Sequence, residues 1–538
     1  MTEKNKNADD DKKKEEKIDW ENLKISPEVV GLVPYEAAKK YQFIPFEKDG
    51  QTLRVGVVDI DDIEVQNALQ FLAEKNQLSV EMIKISEKDF KSALGTYTGP
   101  TFTISKALES ITREETGGRE KTEKDKEQEK KEIIRDAPVA KIVEVILRNA
   151  IEGMASDIHI EPLEDFVRVR YRQDGILHNS LMLPKKIGPA IVSRVKILSN
   201  LKIDERRKPQ DGRFRIIEKE KQIDFRVSSL PVSLGEKVVM RVLDKEQGLI
   251  SLENLGIKGR NYEIIKKNIF EPFGMILVTG PTGSGKSTTL YSILQILNKE
   301  GVNIVTLEDP VEYAIEGINQ SQVKPEIGYS FSTGLRSILR QDPDVIMVGE
   351  IRDKETAELA VHAALTGHIV LSTLHTNDSA GAIPRLIDMG VEPFLIASSL
   401  RAVVAQRLVR RICEFCREEI KVTESIKVSI QKNLSSISEE NKKDLKLPSD
   451  IKIYQGKGCP QCGGSGMKGR IGIFEVFYMD EQVASRLNEK IDEEDLQKAA
   501  QAQGMISMKQ DGIVKVLTGL TTLGEIERVT EENFLEIE

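Results

Sequence analysis

One glycine-rich run has the residue types and spacing of a phosphate-binding loop. Gly280-Pro-Thr-Gly-Ser-Gly-Lys-Ser287 fulfils every constrained position of G-x-x-x-x-G-K-[ST], with a strand-like segment before it and a helical segment after it. Backbone N–H groups of such a loop face one point, Lys286 reaches the β- and γ-phosphates, and the Ser287 hydroxyl binds Mg²⁺. The flanking segments favour this site over an ordinary glycine-rich turn. The predicted nucleotide contacts are Gly280, Pro281, Thr282, Gly283, Ser284, Gly285, Lys286, Ser287 and Thr288.

Acidic residues follow two later strand-like segments, NIVTLE and DVIMVGE. The first continues as Glu308-Asp-Pro-Val-Glu312 and the second ends in Glu350. Strand ends of an open α/β sheet form its usual ligand edge, where one carboxylate can hold the Mg²⁺ shell and another can orient the attacking water. A solvated loop charge explains one acidic residue, but two such strand ends after a phosphate loop favour catalysis.

Histidines cluster further along the chain. Three of the five histidines fall between His362 and His375. His375 follows the strand-like segment IVLSTL, so it belongs at the same edge and can donate a hydrogen bond to phosphate. We expect His362 on a helix surface, and the absence of an H-E-x-x-H pattern from the sequence disfavours catalytic zinc here.

The four cysteines form two C-x-x-C pairs, Cys413 with Cys416 and Cys459 with Cys462. Each pair can offer two thiolates to one tetrahedral Zn²⁺. The long interval between the pairs is rich in Lys, Glu and Ser, and we expect an exposed excursion that the metal closes at its base. A catalytic thiol pair is the alternative.

Composition bounds the class of protein. A chain of 538 residues implies about three or four domains, and its 31% charged residues leave room for solvated linkers. The sequence contains no apolar run of membrane-spanning length and begins with a polar segment, which favours an intracellular protein. The net charge of −9 argues against a protein that coats nucleic acid.

Strand-like and helical segments alternate from about Leu252 to Gln406, which predicts a mainly parallel sheet carrying the phosphate loop. The preceding segment alternates arginines with apolar residues in FVRVRYRQDG and predicts an α+β unit. We predict a disordered tail 1–24, a small α/β domain 25–98, a charged linker or solvent helix 99–135, an arginine-bearing domain 136–245, a phosphate-loop domain 246–410, a cysteine subdomain 411–470 and a helical segment 471–538.

The motifs resemble, in order and spacing, those of the secretion ATPase superfamily, in its type II secretion assembly and type IV pilus extension branch. The resemblance rests on the phosphate loop, EDPVE, GLRSILRQDPDVIMVGEIRD and TGHIVLSTLHTND, and it extends to SDIHIEP, DGRFR and both cysteine pairs. It implies a multidomain α/β protein with a RecA-like P-loop ATPase domain, a PAS-like α+β domain before it, a small N-terminal adaptor domain and a tetracysteine zinc subdomain. The RLG-type motif of the cyclic-dinucleotide-binding version of the adaptor domain is not found in the sequence.

The resemblance also implies residue roles. Glu312 is the general base or positions the attacking water, Glu350 is the Walker B carboxylate that acts with Ser287 on Mg²⁺, and His375 senses the γ-phosphate. Arg213 and Arg226 match arginines that the preceding domain extends towards nucleotide. The arginines of the central domain with less defined roles are Arg336, Arg340 and Arg352.

The activity implied by the resemblance is Mg²⁺-dependent ATP hydrolysis, with ATP, Mg²⁺ and Zn²⁺ as cofactors. A homohexamer at the cytoplasmic face of the inner membrane would power pseudopilus or pilus assembly, with a platform protein and a membrane-recruiting adaptor as partners and no direct contact with nucleic acid. The alternatives are a DNA-uptake pilus motor, a nucleic-acid translocase or helicase, and a nucleotide-controlled scaffold with little hydrolysis.

Overall fold

The computed structural model describes residues 29, 33, 35–76, 78–90, 93, 127–218, 221–244, 250–445, 447, 450–487 and 493–530. The predicted tail 1–24 and residues 99–126 of the predicted linker lie outside these ranges. The chain divides into two compact units. The first comprises Met1–Gln173, Leu177–Glu220 and Phe225–Val242, and the second comprises Asp174–Ile176, Lys221–Asp224 and Leu243–Glu538.

The first unit opens with a small α/β arrangement, as predicted. Its sheet has the order β1-β2-β3, in which β2 pairs antiparallel with β1 and parallel with β3. Val65 and Leu69 are spaced one helical turn apart, so both lie on the buried face of the second helix. The elements are α1 (Tyr35–Lys40), β1 (Phe43–Asp49), β2 (Thr52–Val57), α2 (Ile63–Asn76) and β3 (Ser79–Lys84).

The rest of the first unit is the predicted α+β arrangement around a six-stranded sheet of order β6-β5-β4-β9-β8-β7. Helix α3 begins at Glu127, within the segment 99–135 that was predicted as a linker or solvent helix. The elements are α3 (Glu127–Glu152), β4 (Asp157–Pro162), β5 (Phe166–Gln173), β6 (Ile176–Pro184), α4 (Gly188–Leu198), β7 (Gln210–Glu218), β8 (Lys221–Val232) and β9 (Gly235–Asp244).

The arginine face of β5 is ion-paired. Val167, Val169 and Tyr171 are buried, as the alternation predicts. On the opposite face Arg168 and Arg170 donate to Glu161 of β4, at 2.9 and 2.7 Å. Although burial favours the neutral acid, these donors and Lys237 lower the pKa of Glu161 to about 2. The charges of this face are therefore largely used within the sheet itself.

The second unit is built on a seven-stranded sheet of order β12-β11-β13-β14-β10-β15-β18. Strands β10 to β15 pair in parallel, and β18 is antiparallel to β15. Along the buried strand β10, Met275 and Leu277 pack on one face while Ile276 and Val278 pack on the other. The elements up to β15 are α5 (Leu252–Leu255), α6 (Gly259–Ile269), β10 (Gly274–Thr279), α7 (Lys286–Leu297), β11 (Ile304–Glu308), β12 (Asn319–Gln322), α8 (Phe331–Ile338), β13 (Val345–Val348), α9 (Lys354–Leu365), β14 (Ile369–Leu374), α10 (Ala382–Asp388), α11 (Pro393–Ser399) and β15 (Leu400–Ile412).

The C-terminal part departs from the prediction in two places. Residues 471–478 are not helical, because they belong to strand β18 at the edge of the main sheet. The interval between the cysteine pairs is not simply an exposed excursion, because Ile430 within it is fully buried against the core that contains Ile473 and Ile513. The elements are β16 (Arg417–Ile420), α12 (Glu424–Ser435), α13 (Glu439–Asp444), β17 (Ile453–Gly456), β18 (Met467–Tyr478), α14 (Glu481–Leu487), α15 (Glu493–Ala502), α16 (Met508–Leu517) and α17 (Leu523–Thr530).

Within the described ranges, no helix has both the length and the apolar character that crossing a membrane requires.

Candidate active site

Strand order brings the predicted motifs of the second unit to one edge of the sheet. The glycine-rich loop follows β10, Glu308 ends β11, Glu350 follows β13 and His375 follows β14. These four strands are parallel, so their carboxyl ends meet at the same edge, where ligands of open α/β sheets bind.

The glycine-rich loop has the shape that a phosphate cradle needs. Gly280 has a φ of +146°, and a Cβ there would lie 2.5 Å from the carbonyl oxygen of Gln406. Gly285, at a φ of +89°, is the N-cap residue directly before helix α7, and its cap position makes no side-chain hydrogen bond to the helix. The first N–H groups of α7 are therefore available, together with the positive end of the helix, to an anion in the loop.

Lys286 lies across the mouth of this loop. Its ammonium group donates to the carbonyl oxygens of Gly280 at 2.8 Å and Pro281 at 3.2 Å. Burial lowers the pKa of Lys286, the nearby Glu350 works in the opposite direction, and Arg407 adds to the lowering. A cation held beside loop N–H groups in this way is suited to a polyphosphate.

Glu350 is the carboxylate at the centre of the edge. Its side chain is 12% exposed, and its two oxygens contact Arg352 at 2.5 Å and His375 Nε2 at 3.3 Å. The structure therefore brings Glu350, His375 and Arg352 together, at the sheet edge where the phosphate loop also lies.

The two carboxylates of the segment EDPVE lie in different environments. Glu308 is 4% exposed and accepts hydrogen bonds from Tyr291, Thr306 and Gln320. Glu312 is half-buried in the loop beyond the strand, and its backbone N–H lies 3.4 Å from the Tyr291 hydroxyl. Of the two carboxylates, Glu312 is the more accessible to solvent.

The remaining predicted arginines lie in separate places. Arg336 pairs with Glu355, and Arg340 donates to the carbonyl oxygen of Arg336 at 2.8 Å. Arg213 lies on β7 and Arg226 on β8, in the first unit. The rings of Phe214 and Phe225 stack across these strands with centroids 4.9 Å apart, so alternation places both arginines on the opposite face.

Sequence reasoning missed two residues of β15, Gln406 and Arg407. The buried Gln406 amide donates to the carbonyl oxygen of Ser284 at 2.6 Å and accepts from Thr289 at 2.7 Å, which fixes the loop against the strand. Arg407 donates to the carbonyl oxygen of Asn377 at 3.0 Å, in the loop that follows His375. The available signal was two polar residues directly after the apolar run AVVA.

The four cysteine sulfurs lie within 4.8 Å of one another. Cys413 and Cys459 are 3.8 Å apart at Sγ, and Cys416 and Cys462 are 3.9 Å apart. A tetrahedral S₄ site with Zn–S bonds of about 2.3 Å has sulfur–sulfur separations of about 3.8 Å, whereas a disulfide needs about 2 Å. The donor set and its spacing therefore fit Zn²⁺.

Backbone donors favour the thiolate form of one of these cysteines, Cys462. The N–H groups of Cys459 and Gly466 point at Cys462 Sγ from 3.1 and 3.3 Å. Burial disfavours the thiolate, but these N–H groups, together with the neighbouring side chains of Cys459 and Cys416, outweigh it and lower the pKa of Cys462 to about 6. Structural metal sites bind the thiolate form.

Comparison with known proteins shows to which family this chain belongs. The model of the type II/IV secretion system protein family matches residues 132–528, and the MshEN domain matches residues 16–103. The chain belongs to the type II/IV secretion system protein family. The predicted family membership is thereby confirmed, and the names of the two relatives described next confirm the predicted enzyme class, an ATPase.

Two relatives show how far the similarity extends. The type IV pilus assembly ATPase PilB of Myxococcus xanthus is 41% identical over 95% of this chain and 88% of its own length. The type II secretion system ATPase E of Vibrio cholerae is 46% identical over 74% of this chain and 76% of its own. The predicted class of function, a motor of secretion or pilus assembly, is confirmed at the level of the family.

Solved structures show the same fold. The Legionella pneumophila ATPase DotB matches with a TM-score of 0.53 and 22% identity, covering 72% of this chain and 95% of its own. The Yersinia pseudotuberculosis ATPase DotB matches with a TM-score of 0.54 and 19% identity, covering 73% and 93%. The predicted fold class is therefore confirmed.

Proposed function

We propose that this family member hydrolyses ATP with Mg²⁺ as a homohexamer and uses the energy to assemble a pilus or pseudopilus from the inner face of the cytoplasmic membrane. The observation that carries the proposal is the meeting of the phosphate loop, Glu350 and His375 at one sheet edge, with Glu312 in the loop beyond the adjoining strand. The names of the Myxococcus xanthus and Vibrio cholerae relatives support the kind of work done.

In the proposed reaction, the loop N–H groups and Lys286 hold the phosphates, with contacts running from Gly280 to Thr288. Glu312 orients the attacking water and takes its proton, because its loop leaves β11, the strand next to β13, which Glu350 follows. His375 donates to the γ-phosphate from a side chain that is half exposed and whose Nε2 lies beside Glu350. The water oxygen bonds to the γ-phosphorus as the bond from that phosphorus to the β–γ bridging oxygen breaks. ADP is the leaving group, inorganic phosphate is formed, and negative charge spreads over the oxygens of the transferring phosphoryl group.

Ser287 and Glu350 fit a Mg²⁺ site. The hydroxyl group lies on the first turn of α7, and the carboxylate, which is 12% exposed, lies between the side chains of Arg352 and His375. Both are oxygen donors, the kind that Mg²⁺ prefers. Bound there, Mg²⁺ would neutralise charge on the β- and γ-phosphates.

Arg213 and Arg226 are proposed to neutralise charge on the transferring phosphate when the arginine-bearing domain approaches nucleotide. A planar guanidinium donates in a fork that suits phosphate oxygens. This step makes hydrolysis depend on domain arrangement, which is how a motor couples chemistry to movement.

Zn²⁺ is proposed to bind Cys413, Cys416, Cys459 and Cys462 as a structural ion. The sulfur spacing and the N–H donors around Cys462 support this role. The site lies at the base of the β15–β18 hairpin, so it would hold the two strand ends together.

An inner-membrane platform protein and a membrane-recruiting adaptor are the proposed partners.

The decisive test is a Glu312→Gln variant of the full chain. Gln keeps the shape of the side chain but cannot accept the proton, so we expect ATP turnover to fall at least 100-fold, as an order of magnitude for a lost general base, with ATP binding retained. Glu316→Gln, in the same loop region, is the matched control and should hydrolyse normally. Normal turnover in Glu312→Gln would exclude the proposed mechanism, and strong stimulation by DNA would favour a nucleic-acid translocase.

A further inference from the structure

A buried carboxylate joins the helix that follows the phosphate loop to the segment that carries Glu312. Glu308, at the end of β11, is 4% exposed. It accepts hydrogen bonds from the hydroxyl groups of Tyr291 and Thr306 and, at 3.1 Å, from the amide of Gln320. With three donors around it, this carboxylate organises its neighbours and leaves ligand contact to other residues.

Two of these donors also hold the backbone of the Glu312 segment. The Tyr291 hydroxyl oxygen accepts from the Glu312 N–H at 3.4 Å. Gln320 donates to the carbonyl oxygen of Tyr313 at 3.2 Å and accepts from the Ile315 N–H at 2.7 Å. The segment from Glu312 to Ile315 is thus fixed at three backbone points by two side chains that share one carboxylate.

Tyr291 connects this arrangement to the phosphate loop. It is fully buried on α7, the helix that begins at Lys286. Its ring packs edge-on against Tyr313 with centroids 4.6 Å apart. Because a helix is rigid over two turns, the hydroxyl has a fixed position relative to the loop that holds the phosphates.

We propose that Tyr291 is a positioning residue of the hydrolytic reaction, whose hydroxyl sets the distance between the phosphate loop and Glu312. The inference rests on the proposed role of Glu312. Misplacing a catalytic group by about 1 Å costs on the order of 100-fold in rate, while ground-state contacts to ATP are untouched. Tyr291 therefore controls turnover and leaves ATP affinity unchanged.

The test compares Tyr291→Phe with Ser292→Ala in the full chain. Both variants remove one buried hydroxyl from α7, but Ser292 donates to the carbonyl oxygens of Ile250 and Thr288, away from the Glu312 segment. We expect Tyr291→Phe to lower kcat by about 10- to 100-fold with KM for ATP changed less than about twofold. Ser292→Ala should keep the wild-type kcat.

Gln320→Met provides a second variant on the same segment, should Tyr291→Phe fail to fold. It removes both contacts of the Gln320 amide to the loop and should show the same loss of kcat at constant KM. Normal kcat in the folded variants, or a rise in KM that equals the loss in kcat, would overturn the inference.

Glu312→Gln separates this inference from the proposed function. If Glu312→Gln is inactive while Tyr291→Phe hydrolyses normally, the inference alone is wrong. If Glu312→Gln hydrolyses normally, the proposed role of Glu312 fails first.

Discussion

Lys286 is a residue whose substitution should reduce catalysis and leave folding nearly unchanged. Its described hydrogen bonds reach only two carbonyl groups of its own loop. We expect Lys286→Ala to lower ATP turnover by about 100- to 1,000-fold or more, because it removes the cation that faces the phosphates. Circular dichroism and thermal unfolding should remain close to wild type.

Lys299→Ala is the matched control for this substitution. Lys299 is exposed just beyond the same helix and lies over the Phe270 ring, 5.0 Å from its centroid. Its loss should leave turnover intact. Near-normal hydrolysis by Lys286→Ala would show that the phosphate site lies elsewhere.

Single residues also show where sequence reasoning ends. The phosphate loop, Glu350 and His375 could be placed because parallel strands bring their carboxyl ends together. Gln406 could not, since its bond to Thr289 joins residues 117 positions apart and exists only because β10 lies beside β15. Residue type and spacing alone do not show that Glu308 is buried and Glu312 is not, because the position along the strand decides which carboxylate is accessible; the family resemblance singles out Glu312.

At the scale of elements, the cysteine cluster lies beside the ends of two paired strands, β15 and β18. We expect one Zn²⁺ per chain, and Cys459→Ser should destabilise the region from Arg411 to Gly469 while only modestly weakening ATP binding, because the metal organises structure away from the phosphates. Metal analysis of reduced protein checks the stoichiometry, and hydrogen exchange checks the region affected. Protein purified with reduced thiols and without zinc would contradict the assignment.

Helix α17 is attached to β15 through Glu525. This carboxylate is 3% exposed and accepts from the Arg410 side chain at 2.7 Å, the Arg410 N–H at 2.9 Å and Arg528 at 2.8 Å. Burial alone raises the pKa of Glu525, but these donors dominate and lower it to about 2. The ionised carboxylate therefore stabilises the fold above the unfolded pKa of about 4.3.

The contribution of Glu525 to stability should disappear in acid. Because the folded pKa is depressed, stabilisation is complete above about pH 5 and is lost as the pH falls towards 2. We expect Glu525→Gln to lower the free energy of unfolding by on the order of 3 kcal/mol at pH 7, and by much less near pH 2.5. Glu414→Gln, whose side chain is 72% exposed, should change stability little at either pH.

The pairing and packing of elements also explain why the sequence predictions for the C-terminal part were wrong. Among the described strands, β18 pairs only with β15. Its partner residues all precede the cysteine region in the sequence, so no local turn signal predicts the pairing. The interval between the cysteine pairs is polar in composition, yet single apolar residues such as Ile430 are enough to anchor it. The average composition of a segment does not reveal single buried residues of this kind.

At the scale of the whole molecule, Arg213 and Arg226 test whether hydrolysis needs both units. We expect either substitution by Ala to lower kcat by about 10³-fold or more, as for arginines that act on a transferring phosphoryl group. ATP binding should weaken much less, because the loop and Lys286 remain. Steady-state ATPase assays beside nucleotide titrations measure the two effects.

Arg207→Ala is the control for these variants. Arg207 is 89% exposed at its side chain and pairs with Glu205 of the same loop. Its turnover should be normal. Full activity in both Arg213→Ala and Arg226→Ala would mean that these arginines are only solvated residues on a sheet face. Any coupling between the units would then depend on other residues.

The β15–β18 hairpin has a consequence for the speed of folding. Ile412 pairs with Met467, with the whole cysteine excursion between them, so the two strands must find each other across a long loop. Contacts between strands that are far apart in the sequence form slowly, whereas further pairs form quickly once a first contact exists. Cys413 directly follows β15 and Cys462 shortly precedes β18. If the metal binds the four thiolates first, it brings Ile412 and Met467 close together, and pairing of the two strands can begin there. Chelators present during refolding should then slow formation of this sheet edge.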